Sequence, residues 1–404
     1  MFPTEMPERG GRFTLLPMDD VYYGPGSIAH LGPVLEALGV RRALLVTGRT
    51  IAGSTDYVGR VAAAAGGRIA AVFSESVQHV HSAAVLRAAA AARAVQADGI
   101  VSLGGGSPND TGKGAVLALA EDIGDAAGFA RMRARFTSPS TVEIPSIGGP
   151  CLPMVALPTT LSGGEATNFV GITDEERKVK DLYIDRKLTA RALILDPELT
   201  LATPAWLWHS TGMRAVDHCI EAISSRDAHP FTDALAAHAL GTLALCLRRT
   251  IRDPGDLAAR VNAQIATWMS VCGLANVSLG LSHGIGHQLG ARCNVPHGIT
   301  SCVMMPAVMA WNRDHVGDKH RWIAALLGAE TAGLAPVAAG QAGRDAVLAL
   351  IRDLGQPWRL RDVGVTEADF DRLATDALGD MIVATNPRPV TSKDDIIEVL
   401  RRAY

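Results

Sequence analysis

The 404-residue chain is long enough for two medium-sized domains. Its composition, with 48% hydrophobic residues, 20% charged residues and a formal net charge of −3, gives no electrostatic footprint for nucleic acid or an anionic membrane. No apolar run reaches the roughly 18 residues of a membrane-spanning helix. The N-terminus lacks the basic-then-apolar pattern of a secretory signal, and the six cysteines contain no CxxC pair. We therefore expect a cytoplasmic protein with reduced thiols, whose partners are small molecules and copies of itself.

The first half of the chain alternates short apolar runs with helical stretches, such as residues 83–96. This alternation predicts an α/β domain with a parallel sheet and helices on its faces. The Pro-, Ser- and Gly-rich segment 137–150 is predicted to be a long loop within this domain. The predicted strands are ALLVT (43–47), IAAVFSE (69–75), GIVSLGGGS (99–107), MVALPTT (154–160) and RALILDP (191–197).

After Pro204 the strand signals disappear, and the remaining segments fit helical spacing. Several of them begin with a Thr-Pro or Asp-Pro pair, which is typical of a helix whose first turn contains proline. We therefore expect an α/β dinucleotide-binding domain over residues 1–200 and an all-helical substrate domain over residues 201–404.

Two loops that follow predicted strands are candidates for cofactor binding. In GGGSPNDTGK (104–113), glycines allow close approach of a ligand, and the free N–H groups of the next helix favour an anion such as a diphosphate. PTTLSGGEATN (158–168) adds hydroxyl groups after another strand. Either loop alone could be only a tight turn, and the usual GxGxxG fingerprint is absent. Their shared position at strand ends favours one ligand crevice.

The first predicted strand is followed by Gly48 and Arg49. An acidic residue near this position would hold a ribose 2′-hydroxyl and repel a 2′-phosphate. Glycine cannot repel a phosphate and Arg49 could attract one, so we expect NADPH to be tolerated. The alternative is a solvated loop arginine.

Histidines cluster in the helical half. His283 and His287 are four residues apart and share a helix face, and His297 follows in a separate segment. Arg214 and His218 are also four residues apart. If His218, His283 and His297 converge, they offer three nitrogen ligands that suit Zn²⁺ or Fe²⁺. A single histidine is more often a packed or solvated residue.

Taken together, these motifs resemble the iron-containing alcohol dehydrogenase family, and within it most closely the maleylacetate reductase branch. The resemblance runs from about residue 20 to the end. It implies an N-terminal α/β dinucleotide domain, a C-terminal helical domain, an active site in the cleft between them and a homodimer paired through the first strand region. It rests on GPGS (24–27), GGGSPNDTGK (104–113), PTTLSGGEATN (158–168), DPELT (196–200), GMRAVDHCIEA (212–222), HGIGHQLGARCNVPHG (283–298) and NPRP (386–389).

The resemblance also implies roles for individual residues. His218, His283 and His297 match three metal ligands of the family, and His287 matches a histidine that relays a proton near the nicotinamide. Arg214 stands where the family has its fourth ligand, an aspartate; maleylacetate reductases also lack that aspartate and are regarded as working without a metal. The implied cofactor-binding residues are Gly48, Arg49, Gly104, Gly105, Gly106, Ser107, Asp110, Thr159, Thr160, Ser162 and Lys180.

Arg214 would weaken any metal site beside it. At about 4 Å and an effective dielectric of about 20, each pair of unit charges is worth about 4 kcal/mol. Exchanging a carboxylate for a guanidinium therefore removes an attraction and adds a repulsion of that size. Arg214 could instead bind an anionic substrate or stabilise an oxyanion. Alternatively, it could form an i,i+3 ion pair with Asp217. Asp217 itself is not expected to join a ligand set with the adjacent His218.

We therefore expect an NAD(P)H-dependent reductase of a small carboxylated carbonyl or enone substrate that works without a catalytic metal. His287 would donate the proton, and Arg214, His218, His283 and His297 would bind the carboxylate or developing oxyanion. The alternatives are a metal-dependent alcohol dehydrogenase, a sugar-phosphate cyclase of related fold and a non-catalytic nucleotide binder.

Overall fold

A computed structural model describes residues 12–138, 141–177 and 179–404. The chain divides into two compact units. The α/β unit holds residues 16–204 and 255–265, and the helical unit holds residues 12–15, 205–254 and 266–404. In the described part of the helical unit, all regular structure is helical.

The strands all lie in the α/β unit. Six of them form one parallel sheet in the order β1-β10-β7-β4-β2-β3, and β5–β6 and β8–β9 form two antiparallel pairs. The strands are β1 (Asp20–Tyr23), β2 (Ala43–Gly48), β3 (Ile69–Ser76), β4 (Gly99–Gly104), β5 (Arg135–Ser138), β6 (Thr141–Glu143), β7 (Met154–Pro158), β8 (Phe169–Asp174), β9 (Val179–Ile184) and β10 (Ala192–Leu195).

The helices follow the two halves of the chain. Those before residue 204 connect the strands. They are α1 (Leu31–Ala37), α2 (Arg49–Ser54), α3 (Tyr57–Ala64), α4 (Ser82–Ala94), α5 (Gly106–Ala120) and α6 (Ala126–Phe129). The later ones are α7 (Ala205–Ser224), α8 (Pro230–Arg252), α9 (Leu257–Cys272), α10 (Leu281–Cys293), α11 (His297–Asn312), α12 (Lys319–Leu326), α13 (Pro336–Asp353), α14 (Phe370–Leu378), α15 (Met381–Ala384) and α16 (Lys393–Ala403).

Among the described helices, α8 is long and apolar enough to cross a membrane by length and composition, but half of its most apolar window is buried inside the protein. A core helix of a globular protein passes the same test, so α8 is weak grounds for a membrane span.

The central strands are largely apolar and almost completely buried because both faces of the sheet are covered. Leu44 and Val46 of β2 belong to one buried apolar cluster, and Ala43 and Leu45 belong to another. Successive side chains point to opposite faces of a strand, so β2 contributes to both cores. The helical unit has its own core, which includes Leu281, Ile285 and Leu289 of α10.

The carboxyl ends of the parallel strands meet at one edge of the sheet. There β4 and β7 are neighbours, and Gly104 pairs with Pro158 in the register of the two strands. The two candidate cofactor loops begin at these residues, so this topology brings them together as expected.

The structure confirms the α/β fold class and the five predicted strands to within a few residues at their ends. The expected loop 137–150 also contains part of the short β5–β6 pair, and its residues 139–140 lie outside the described residues. β1 and the β8–β9 hairpin were not predicted, because their sequences are mixed rather than continuously apolar.

Candidate active site

The glycine-rich loop, which begins at Gly104, leads directly into α5 at Gly106. Gly104 has φ 144°, a conformation that favours glycine, and a methyl group there would lie 2.7 Å from Cγ of Pro108. Gly105 is the residue before α5, and no side chain caps this helix end. The N–H groups of Gly106 and Ser107, the first two of α5, are therefore available to an anion at the carboxyl edge of the sheet.

The loop PTTLSGGEATN (158–168), called here the threonine-rich loop, packs against this turn. The backbone N–H of Thr159 donates to the carbonyl of Gly104 over 2.9 Å. A methyl group on Gly105 would lie 2.9 Å from Oγ1 of Thr160, which is itself 3.2 Å from Oγ of Ser162. The two loops thus form one surface, in which glycines leave the space that the threonine and serine side chains occupy.

Asp110 and Lys180 lie near each other at the β8–β9 hairpin. Lys180 on β9 crosses Gly171 on β8, where a methyl group would overlap its Cε. Burial raises the pKa of the Asp110 carboxyl, and the charges of Lys180 and Lys113 oppose this shift. The structure therefore groups two of the expected cofactor residues that are 70 positions apart in sequence.

Gly48 is the last residue of β2, and Arg49 begins α2 with an exposed side chain. Both residues lie at the same edge of the sheet as the two loops, because β2 is parallel to β4. No carboxylate follows β2 in the positions that would meet a ribose 2′-substituent in a dinucleotide fold.

In the helical unit, four of the buried charged or polar side chains of α7 lie on successive turns. Arg214 and Asp217 are 3% and 0% exposed, and His218 and Glu221 are each 6% exposed. Their burial is costly unless the groups are paired, so their partners define the chemistry of the cluster.

Glu221 joins α7 to the start of α10. Its carboxylate accepts the backbone N–H groups of Gly280 and Ser282, both over 2.9 Å, and Nδ1–H of His283 over 2.6 Å. This arrangement satisfies N–H groups at the beginning of α10 and places a negative charge at its positive end. It also fixes the tautomer of His283 with the lone pair on Nε2.

The histidines form two stacked pairs. The rings of His218 and His283 have centroids 4.9 Å apart, and those of His287 and His297 have centroids 6.0 Å apart. Nδ1–H of His287 donates to Oδ2 of Asp380 over 2.8 Å. Asp380 was not identified from the sequence, because it lies 93 residues away in a segment without a motif.

Arg214 is buried among α7, α10 and α11. Its Nη1 donates to Oγ of Ser301 over 3.0 Å and lies 3.7 Å from Oδ2 of Asp217. A methyl group on Gly286 would lie 2.8 Å from Oγ1 of Thr300, so glycine allows α10 and α11 to approach closely beside Arg214. The i,i+3 ion pair with Asp217 is therefore present. It does not draw Arg214 into solvent, since both groups are buried.

Burial sets the charge states of this cluster. It lowers the pKa of His218 and of His283 well below the usual imidazole range, and Arg214 lowers both further. Burial lowers the pKa of Arg214 to about 10, which leaves the guanidinium charged at neutral pH. Two neutral imidazoles therefore lie near a fixed cation. In this cluster, the buried atoms without a hydrogen-bond partner among the described residues include Nε of Arg214, Oδ1 of Asp217, Nδ1 of His218 and Nε2 of His283.

The described residues contain one group of at least three potential ligand side chains within 4.8 Å of one another, formed by Asp217, Glu221 and His283. The set His218, His283 and His297 is not such a group. Glu221 and Nδ1 of His283 already bond to each other, and a cation between them would displace the bonds that hold the start of α10. Arg214 adds a positive charge beside Asp217. The existing hydrogen bonds and the adjacent guanidinium therefore disfavour a divalent cation in this group.

Comparisons with known proteins agree with this architecture. The model of the iron-containing alcohol dehydrogenase family matches residues 19–197, and that of the C-terminal part of the Fe-containing alcohol dehydrogenase family matches residues 209–404. The chain is 33% identical over 388 residues to 1,3-propanediol dehydrogenase of Klebsiella pneumoniae, covering 95% of this chain and 96% of that protein. It is 31% identical over 387 residues to maleylacetate reductase of Pseudomonas sp. strain P51, covering 95% of each.

Solved structures give the same picture. The crystal structure of a 1,3-propanediol oxidoreductase has a TM-score of 0.89 at 31% identity and covers 98% of this chain and 100% of that one. Maleylacetate reductase from Agrobacterium tumefaciens has a TM-score of 0.78 at 27% identity and covers 98% of this chain and 99% of that one.

The fold and its relatives define the class of protein as an oxidoreductase consistent with NAD(P) dependence. The chain belongs to the iron-containing alcohol dehydrogenase family. The resemblance read from the motifs is thereby confirmed, and maleylacetate reductases are among its relatives.

Proposed function

We propose that this protein is an NAD(P)H-dependent reductase of a small carboxylated carbonyl or enone substrate and works without a catalytic metal. The observation that carries the proposal is the buried guanidinium of Arg214 within the histidine cluster. The family fold supplies the hydride-transfer scaffold, and Arg214 supplies a permanent positive charge.

The α/β unit supports the cofactor part of the proposal. The uncapped start of α5 and the adjoining hydroxyl-rich loop suit a diphosphate. Gly48 and the exposed Arg49 favour acceptance of the 2′-phosphate of NADPH as well as binding of NADH.

The helical unit supports the substrate part. Nε–H of Arg214 is buried without a partner among the described residues, and Nε2 of His283 is in the same state. A substrate oxygen could accept the first of these N–H groups, as a carboxylate or as the oxyanion formed when hydride arrives. Asp217 offsets part of the arginine's charge, which favours a monoanionic ligand over a more highly charged one.

His287 is the proposed proton donor. Its Nδ1–H is committed to Asp380, so Nε2 is the nitrogen left for proton transfer. The side chain is 15% exposed, which leaves it a route to solvent for reprotonation.

Steady-state reduction of maleylacetate with NADH and with NADPH tests the proposal. Turnover with either cofactor is expected, and Arg214→Ala should lower kcat/KM by about a hundredfold or more. An Arg214→Ala variant as active as wild type would contradict the assigned role of Arg214. Absence of turnover with both cofactors would exclude maleylacetate as substrate.

A second candidate is a metal-dependent alcohol dehydrogenase. It is favoured by relatives described as 1,3-propanediol dehydrogenase and lactaldehyde reductase, and by the carboxylates of Asp217 and Glu221 beside His283. Elemental analysis of the purified protein distinguishes the two. Stoichiometric iron or zinc, with activity lost to a chelator, would support this candidate over the metal-free one.

A further inference from the structure

Lys113 is a fully buried lysine in the middle of α5. Its side chain is 0% exposed, and its Nζ donates to the carbonyl oxygens of Gly164 and Thr167, both over 2.6 Å. Longer bonds of 3.3 Å reach Oγ1 of Thr167 and the carbonyl of Phe169. Gly164 and Thr167 lie in the threonine-rich loop (158–168), and Phe169 begins β8 directly after it.

Two buried carboxyl groups accompany this ammonium group. Burial lowers the pKa of Lys113 to about 8, and the nearby charges of Asp110 and Glu165 oppose that shift. Asp110 lies on α5, as Lys113 does, and Glu165 lies in the segment bonded to Lys113. The attraction between Lys113 and Glu165 therefore holds this segment against α5, as the hydrogen bonds do. Taking a lysine out of water is costly, so the hydrogen bonds and the nearby carboxyl groups must offset the burial of Lys113.

Lys113 therefore connects the two cofactor loops. The glycine-rich loop opens the helix on which Lys113 lies, and the threonine-rich loop supplies the carbonyl groups of Gly164 and Thr167 that Lys113 binds. The Thr159–Gly104 backbone bond joins the same loops at the strand ends. The two loops are thus held together at two levels.

We propose that Lys113 is a positioning residue of the cofactor site, which fixes the segment Gly164–Phe169 against α5 so that both loops are prearranged for the dinucleotide. This inference rests on the proposed function. Lys113 lies seven residues after Gly106, about 10 Å along the helix axis. It therefore acts through the loops it connects rather than on the diphosphate at the start of the helix.

The test compares Lys113→Met with Lys187→Met in the full-length protein. Lys187 is a suitable control because it also donates to loop carbonyl groups, those of Ile147 over 2.7 Å and Gly149 over 3.4 Å, in the same unit. The dissociation constant of NADH and of NADPH is measured by fluorescence titration without substrate. Lys113→Met is expected to raise it by at least about tenfold. Lys187→Met should leave it within about twofold, and kcat at saturating cofactor should fall much less than cofactor affinity.

Thr167→Val is the milder second variant, which keeps the test decisive if Lys113→Met does not fold. It removes a hydroxyl group that accepts from Lys113 and donates to the carbonyl of Gly164 over 2.8 Å. A rise of about threefold in the dissociation constant is expected. Wild-type affinity in Lys113→Met, or in Thr167→Val if that is the soluble variant, overturns the inference. A wild-type protein that binds neither dinucleotide overturns the proposed function as well.

Discussion

The imidazole of His287 is held by a carboxylate that comes from a different part of the helical unit. Oδ2 of Asp380 accepts Nδ1–H of His287, while Oδ1 accepts the backbone N–H of Ile382 at the start of α15. The carboxylate is thus fixed by its own helix and in turn fixes the ring. This arrangement selects the tautomer with Nε2 free for proton exchange.

Asp380→Asn is expected to lower kcat by about tenfold to a hundredfold with a smaller effect on cofactor affinity, because the amide can present its NH₂ group to Nδ1 and favour the opposite tautomer. Steady-state kinetics with saturating cofactor measure the effect. Asp371→Asn, which alters an exposed ion pair with Lys393, is the matched control. Equal kcat in both variants would show that Asp380 does not position His287.

At the scale of the element, Glu221 anchors the N-terminus of α10, the helix that carries His283 and His287. Glu221→Gln should lower the free energy of unfolding by about 1–3 kcal/mol, because an amide donor would then face backbone N–H groups or His283. Denaturant unfolding measures this loss. The exposed Glu330 accepts a backbone N–H from Ala332, so Glu330→Gln is the control and should change stability by less than about 0.5 kcal/mol. Similar losses in the two variants would contradict the anchoring role.

The β8–β9 hairpin positions Lys180 by leaving out a side chain on the neighbouring strand. Gly171→Ala should displace the lysine and raise the KM for NAD(P)H by about threefold to tenfold, while kcat changes less. Gly59→Ala, a helical site in the same unit with nothing within 4 Å of the added methyl group, is the control. An unchanged KM in Gly171→Ala would mean that Lys180 does not contribute to cofactor binding.

At the scale of the whole molecule, the proposed role of Arg214 predicts that catalytic activity does not depend on a metal ion. Dialysis against a strong chelator should leave kcat/KM within about twofold of its starting value. The positive charge of the site belongs to the side chain of Arg214, which a chelator cannot remove. The measurement is activity before and after chelation, with iron and zinc quantified in both samples. Activity that disappears and returns on addition of Fe²⁺ or Zn²⁺ would favour the alternative dehydrogenase.

The sequence predicts much of the fold because the strands of a sheet covered on both faces are continuously apolar, as β2, β4 and β7 are. It also predicts the cofactor edge, since both loops follow strands of one parallel sheet. Glu221, Asp380 and Lys113 escape prediction because their roles depend on partners far away in the chain. Nothing in the local spacing of these residues distinguishes them from ordinary surface charges.

The buried pair of Arg214 and Asp217 constrains how the protein can change. Replacing the arginine alone removes the cation beside a buried carboxylate, and replacing the aspartate alone removes the anion beside a buried guanidinium. Either single step costs about 3–5 kcal/mol, a large part of the stability of a typical domain. A variant with a metal ligand at position 214 would therefore need a compensating change at Asp217, so single substitutions at this pair are strongly disfavoured.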